Sequence, residues 1–246
     1  IIFVRPKTEK TMLEKTVKFL KGVTRNNNRE WFQAHREEYL DAKTEFESFV
    51  RRLIPLMQEM DPEIGPLEVS DCTYRIYRDT RFSPDKTPYK NHMGAYINRK
   101  GKKSPFAGYY FHISPAEGSL WGGGLYCPDP KILKAIRQDI YDNIEEFHTI
   151  IDAPSFAGRY RFFEENKLKK APQGFPADWP DIELLKNRNF DVFQPIPDDV
   201  LKSDRLAEKT VEAFEAMKPL NHFFNYTIEQ EIEQGGSFAR SITHSL

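Results

Sequence analysis

The residues best suited to chemistry lie in one segment, Arg75–Asn91, which reads RIYRDTRFSPDKTPYKN and which we call the basic loop. Arginine presents a planar set of donors that matches a carboxylate or a phosphate, and lysine adds a mobile point charge. Aromatic side chains alternate with these cations and offer a surface on which a base or sugar could stack. The basic loop therefore predicts an anion-binding surface. The predicted contact residues are Arg75, Arg78, Asp79, Arg81, Phe82, Asp85, Lys86 and Tyr89.

The positive charge of the chain is concentrated around this loop. Residues 73–103 contain nine Lys and Arg against two Asp, a local charge of +7, so the rest of the chain must sum to −8 to give the net charge of −1. The two acids, Asp79 and Asp85, are too few to neutralise every cation. An alternative interpretation is that they pair with arginines to brace an irregular loop whose backbone needs partners. In that case the loop is structural and no ligand exists.

Two histidines and two glycines are secondary candidates. His92 follows the basic loop directly, and His112 lies in a predicted strand, so either imidazole could act as a general acid or base beside a bound phosphate. Gly122 and Gly123 would let backbone N–H groups approach an anion, although a glycine run within a sheet more often marks close packing. The six histidines lack zinc-like spacing, and neither a P-loop nor a dinucleotide fingerprint occurs. We therefore predict no metal and no cofactor.

The basic loop resembles the signature of domain-of-unknown-function family 2461, which this chain carries from Arg75 to Tyr89 as Arg-x-x-Arg-Asp-x-Arg-Phe-x-x-Asp-Lys-x-x-Tyr. The similarity extends from Asn26 to about Tyr226. The resemblance implies an uncharacterised bacterial protein. It brings with it no activity, cofactor or catalytic residue, so function has to be argued from the residues themselves.

Alternating hydrophobicity predicts the part of the chain that carries the basic loop. Four short strands, the first beginning at Cys72 and the last ending near Tyr126, are joined by turns. These connections are too short for parallel crossovers, so we predict an antiparallel meander.

Helical periodicity dominates the chain before the meander. Residues 12–21 predict a short helix that Gly22 should end. A longer helix follows, with Asn27 or Asn28 as its cap, and Pro55 should kink or end it because proline lacks an N–H and clashes with the preceding turn.

Helical periodicity returns after the meander, with Asp129 as the candidate cap of the next helix. A second helix-rich piece is predicted over Ser155–Leu168. The remaining predicted elements are a helix at Ile182–Lys186, a strand at Phe190–Phe193, and helices at Asp204–Met217 and Leu220–Glu233.

These elements predict a single α+β domain over residues 1–234, with N-terminal and C-terminal helices packed against the meander, and a disordered tail over 235–246. No apolar run approaches the length of a membrane span, so we predict no membrane contact. Two cysteines are too few for a disulfide framework, and reduced thiols indicate a cytoplasmic protein. The oligomeric state is left open.

Three functions remain open on the sequence. The first is binding of a small phosphorylated or otherwise anionic ligand at the basic loop, with turnover left undecided. The second is a nucleic-acid-binding module that adds the Arg99–Lys103 turn to the same loop; the pI of about 6.7 and the acidic remainder of the chain argue against it. The third is a structural or protein-docking domain with no ligand.

Overall fold

The computed structural model describes residues 13–164 and 167–243, with side chains described as far as Gln234. It confirms the predicted α+β fold, with five strands in one antiparallel sheet of order β1-β2-β3-β5-β4. The strands are β1 (Met93–Asn98), β2 (Gly108–Ile113), β3 (Leu120–Leu125), β4 (Arg161–Phe162) and β5 (Phe190–Pro195). The first three are neighbours in both sequence and space, as a meander requires.

Helices precede and follow these strands, as the hydrophobic periodicity predicts. Within the described residues they are α1 (Glu14–Arg25), α2 (Arg29–Ala34), α3 (Arg36–Met60), α4 (Val69–Cys72), α5 (Pro130–Asp142), α6 (Ile144–Ile151), α7 (Pro154–Ala157), α8 (Ile182–Leu185), α9 (Asp198–Leu201), α10 (Leu206–Glu215) and α11 (Lys218–Thr243). A 3-10 turn at Pro62–Ile64 follows α3.

The chain divides into two compact units. Unit 1 comprises the residues up to Lys102 together with Tyr110–Trp121 and Pro195–Glu215. Unit 2 comprises Lys103–Tyr109, Gly122–Gln194 and the residues from Ala216 onward. The prediction of one domain over residues 1–234 stays a prediction.

Unit 1 is built around the long helix α3, against which α1, α10 and β1 pack. The buried face of α3 includes Phe49, whose ring centroid lies 4.7 Å from that of Phe111 on β2. Leu53 and Met57 continue this face and are fully buried. Each buried side chain of this size contributes roughly 1.5–3 kcal/mol to folding. This apolar face gives the sheet a fixed support.

Two expected helix breakers do not break their helices. The chain stays helical through Pro55, and α3 ends at Met60. A proline inside a helix costs about 3 kcal/mol, and burial of Leu53, Ile54 and Met57 around it offsets that cost. Helix α1 likewise continues past Gly22 to Arg25.

Gly22 has a packing role instead of a capping role. A Cβ at this position would lie 2.7 Å from two ring atoms of Trp31, so only glycine leaves room for the indole. Asn28 is the N-cap of α2, as predicted, because its side chain accepts a hydrogen bond of 2.8 Å from the N–H of Trp31. The predicted long helix is therefore two helices, α2 and α3, that meet at His35.

The strand predicted to begin at Cys72 is wrong. Cys72 ends helix α4, whose first turn is stabilised by a hydrogen bond of 2.9 Å from the N–H of Glu68 to the carboxylate of Asp71. Beyond it, isolated antiparallel bridges pair Thr73 with Ala95 and Tyr77 with Tyr89. Alternation of side chains predicts an extended chain here, but the segment pairs through isolated bridges and does not form a continuous strand.

Unit 2 packs α11 against α5 and α6, and the ring centroids of Phe147 and Phe223 lie 5.3 Å apart in its core. The predicted cap is confirmed, since the carboxylate of Asp129 accepts a hydrogen bond of 2.8 Å from the N–H of Lys131. The helix it starts is shorter than predicted and gives way to α6 at Asn143. Helices α8, α10 and α11 and strand β5 confirm the remaining predicted elements.

The helix-rich prediction for Ser155–Leu168 is mostly wrong. Among the described residues of this range, the one helix is the short α7, followed by β4, which pairs with β5 through Arg161 opposite Phe193. Pairing with a distant strand outweighs local helical preference in this segment. The last helix, α11, is assigned to Thr243 and so includes much of the predicted tail, while residues 244–246 lie outside the described part of the chain.

Candidate functional site

The basic loop lies in unit 1 and folds back on itself at its base. The N–H of Arg78 donates to the carbonyl of Pro88 at 2.9 Å, and the N–H of Lys90 donates to the carbonyl of Ile76 at 2.8 Å. Proline cannot donate to such a ladder, but Pro88 uses its carbonyl, which its ring leaves free. The two ends of the loop are thereby held side by side.

Tyr89 anchors this base to the N-terminal helices. Its ring stacks on Phe32 with centroids 3.9 Å apart and planes 9° apart. Its backbone N–H and carbonyl both bond to the side-chain amide of Asn27, at 3.1 and 2.8 Å. Only 6% of Tyr89 is exposed, so its ring belongs to the core of unit 1. Phe82, in the same loop, is by contrast 94% exposed. The predicted contact of these two rings with a ligand stays a prediction.

Two arginines of the basic loop are paired with the acids of the same loop. Nη1 of Arg78 bonds to both Oδ2 of Asp85 and Oγ1 of Thr87. Arg81 forms a two-point contact with Asp79, with Nε to Oδ1 at 2.9 Å and Nη2 to Oδ2 at 2.6 Å. Hydrogen bonds from the arginines lower the pKa of each carboxyl to about 2. These pairs brace the loop, as the structural alternative expects.

Other cations of the loop lack such partners. Among the residues that the structure describes, Arg75 and Lys90 have no carboxylate within ion-pair distance. Nζ of Lys90 lies 5.3 Å from the ring centroid of Tyr74, and burial, followed by the charge of Arg75, lowers the pKa of Lys90. Nζ of Lys86 donates to the carbonyl of Thr80 at 2.9 Å, on the exposed side of the loop.

A cavity of about 570 Å³ opens beside the base of the loop. Its charged and titratable lining residues are Arg78, Asp79, Asp85, Lys90, His92 and Glu117. Of the other predicted contact residues, Tyr89 also lines it, whereas Arg75, Arg81, Phe82 and Lys86 do not. The structure thus brings half of the predicted contact residues to the cavity and leaves the other half outside it.

His92 and Glu117, which line the cavity, form a cluster with His112. The ring centroids of His92 and His112 lie 4.6 Å apart, and one ligand atom from each histidine and from Glu117 lies within 4.8 Å of the others. Burial, followed by the charge of His92, lowers the pKa of His112 to about 4, while burial and the charge of Lys90 lower the pKa of His92. Both imidazoles are therefore neutral near pH 7 and suit a base or a ligand better than an acid.

With this geometry in place, comparison with protein families gives one result. The family model of the conserved hypothetical protein DUF2461 matches residues 15–223. The chain belongs to this family. The match begins earlier than the resemblance at Asn26 predicts and ends close to the predicted Tyr226. Neither the curated proteins nor the solved structures contain a match to the chain.

In this DUF2461 protein the two glycine candidates lie away from the loop in sequence and are buried in β3. A Cβ at Gly123 would lie 2.1 Å from Sδ of Met217 and 2.3 Å from the carbonyl oxygen of Gly108. Close packing alone accounts for glycine here, without an anion. None of the described helices combines the length and the apolar character that a membrane span requires.

The predicted site residues did not include Lys90, Asn91 and Glu117, which line the cavity, or Tyr110, which contacts His112. Nδ2 of Asn91 donates to Oε1 of Glu117 at 2.8 Å, and Oδ1 of Asn91 lies 3.2 Å from Nδ1 of His92. The hydroxyl of Tyr110 lies 3.1 Å from Nδ1 of His112. The useful signal was the prediction that short turns join the strands of the meander, since a turn after β2 returns Glu117 toward the strand that carries His112.

Proposed function

We propose that the cavity beside the basic loop binds a small anionic ligand, with phosphorylated small molecules as the chemical class that fits best. The observation that carries this proposal is the ammonium group of Lys90. Lys90 lines the cavity, burial disfavours its charged form, and it lacks a carboxylate partner among the described residues. Its described contact is with the ring of Tyr74. A desolvated charge without a counter-ion is costly, and a bound anion would reduce that cost.

Arg78, which also lines the cavity, supports the same proposal. Only its Nη1 is used by Asp85 and Thr87, so Nε and Nη2 have no protein partner among the described side chains. Guanidinium has five N–H donors in a fixed plane, and an acidic partner on one nitrogen orients the others. The ion pair that braces the loop therefore also holds donors toward a ligand, and the two interpretations of the acids are compatible.

The direct test is calorimetric titration of the protein with inorganic phosphate and with pyrophosphate. Lys90→Met should weaken binding by about 10- to 100-fold, the equivalent of one charge-assisted hydrogen bond of roughly 1.5–3 kcal/mol. Lys86→Met is the matched control, because it makes the same change in the same loop outside the cavity. Binding that is equally weak in both variants would show that overall loop charge, and not the cavity, attracts the anion. Absence of binding in the unaltered protein would refute the proposal.

The nucleic-acid alternative predicts a different response to salt. A surface that neutralises several phosphates loses affinity by about 1,000-fold or more between 50 and 200 mM salt. Part of the turn that this alternative requires is already engaged, since Nζ of Lys102 donates to the carbonyl of Ser70. We expect oligonucleotide binding to be weak at physiological salt. Tight binding with a steep salt dependence would favour the alternative.

A further inference from the structure

The cluster of His92, His112 and Glu117 has a second use that the spacing of these residues in the sequence does not reveal. We propose that these three side chains form a binding site for a divalent transition-metal cation of the Zn²⁺ or Fe²⁺ type. Two imidazoles and one carboxylate are a donor set that such cations prefer and that leaves further coordination positions open. The inference does not depend on the proposed anion binding, although the two sites share a cavity.

The distances between the potential ligand atoms fit a metal site after a small movement of the Glu117 side chain. Zinc binds imidazole nitrogen and carboxylate oxygen at about 2.0–2.2 Å, which places two ligands of a tetrahedral site roughly 3.4 Å apart. One nitrogen of each imidazole and one carboxylate oxygen of Glu117 already lie within 4.8 Å of one another. Glu117 is exposed on the turn between β2 and β3, so its side chain can close most of the difference.

The hydrogen bonds around the cluster orient the rings for a metal. Nδ1 of His92 lies 3.2 Å from Oδ1 of Asn91, and Nδ1 of His112 lies 3.1 Å from the hydroxyl of Tyr110. With both Nδ1 atoms engaged, Nε2 is the nitrogen left on each ring to bind a cation. Metal-binding histidines in general carry such a partner on the second nitrogen, which fixes the ring and its tautomer.

Asn91 connects two of the three ligands. Its amide oxygen faces His92, and its amide nitrogen donates to Oε1 of Glu117 at 2.8 Å, which leaves Oε2 for a metal. Gly94 contributes on the neighbouring strand, since a Cβ there would lie 2.4 Å from the hydroxyl oxygen of Tyr110. A bare backbone at this position is what allows Tyr110 to reach His112.

The surroundings of the cluster give a cation access from solvent, but they also place positive side chains near it. His92 and Glu117 line the open cavity, so a metal could enter from solvent and expose its free positions there. The charges of Lys90 and Arg78 act on His92 and oppose a bound metal, whereas the charge of Glu117 favours it.

The test uses the full chain, freed of metal with a chelator and kept in phosphate-free buffer. Titration with Co²⁺, followed by its visible absorption, and competition with Zn²⁺ should each show one equivalent bound. Glu117→Gln should weaken binding by at least about 100-fold, because loss of an outer partner alone costs 10- to 100-fold. Asn91→Ala should weaken it by about 10- to 100-fold.

The controls are Glu30→Gln and His35→Asn, which change an exposed glutamate on α2 and a histidine stacked on Trp31. Neither should alter binding. Glu117→Gln keeps the acceptor for Asn91, so loss of affinity in that variant cannot come from misfolding of the turn. Absence of Co²⁺ and Zn²⁺ binding, or binding that survives both Glu117→Gln and His112→Asn, would overturn the metal site. Because no phosphate is present, either result leaves the anion titration to be judged separately.

Discussion

The role assigned to Tyr89 is open to a sharp test, because the basic loop contains a second aromatic residue in the opposite environment. Tyr89→Leu removes a ring that is 94% buried and stacked on Phe32, whereas Phe82→Leu shortens a ring that is 94% exposed. An aromatic pair contributes about 0.5–1.5 kcal/mol beyond its buried area, and the leucine also leaves part of the volume unfilled. We therefore expect Tyr89→Leu to lower the free energy of unfolding by about 2 kcal/mol and Phe82→Leu to leave it unchanged within error.

At this chain length, a loss of about 1 kcal/mol in the free energy of unfolding lowers Tm by roughly 2–4 °C, so Tyr89→Leu should lower Tm by about 4–8 °C. Calorimetry or thermal denaturation monitored by circular dichroism measures this shift. Loosening of the loop base should also expose its lysines and arginines, so limited trypsin digestion should cut faster within residues 78–90. The backbone bonds from Tyr89 to Asn27 remain in the variant, which confines the effect to the side chain. Equal Tm values for the two variants would refute the assignment of Tyr89 to the core.

Three further substitutions test other parts of the structure. Gly94→Ala should lower stability by about 1–3 kcal/mol and displace Tyr110 from His112, measurable by urea denaturation and by a shift in the imidazole resonances. Arg81→Ala should leave Tm nearly unchanged, since its side chain is 76% exposed. Burial raises the pKa of Asp191 to about 6, whereas the same carboxyl has a pKa of 3.8 in the unfolded chain. Between these two pKa values the folded state holds a proton that the unfolded state has released, so the free energy of unfolding falls as the pH rises through this range. Asp191→Asn should remove this loss and stabilise the protein by about 1–2 kcal/mol at pH 8, allowing for partial exposure, but very little at pH 4.

Each of these predictions has an outcome that would contradict it. For Gly94→Ala, unchanged resonances of His112 would mean that Tyr110 does not hold this ring. A large fall in Tm for Arg81→Ala would show that its contact with Asp79 supports more than the tip of the loop. For Asp191→Asn, an equal gain at pH 4 and pH 8 would show that the effect does not arise from ionisation of the carboxyl.

The charge pattern pointed to a segment of the chain, and not to the individual residues that line the cavity. Concentration of cations in the basic loop led to a predicted contact set that contains Arg78, which lines the cavity, but omits Lys90, which also lines it. It gave no means of distinguishing them from Arg81 and Lys86, which have the same residue types in the same loop. That distinction depends on which side of the folded loop each residue occupies, and the fold of the loop depends on contacts with Asn27, 62 residues away.

The sequence by itself determined the features whose causes act within a few residues. The caps at Asn28 and Asp129 each satisfy an N–H two or three residues onward, and the helical and alternating periodicities express local backbone geometry. Tertiary structure decided the rest. Helix α1 passes through Gly22 because Trp31 packs on it, α3 passes through Pro55 because its neighbours are buried, and His92 meets His112 and Glu117 because a hairpin returns the chain. In each case the free energy comes from a partner that is distant in sequence, so no local pattern could encode it.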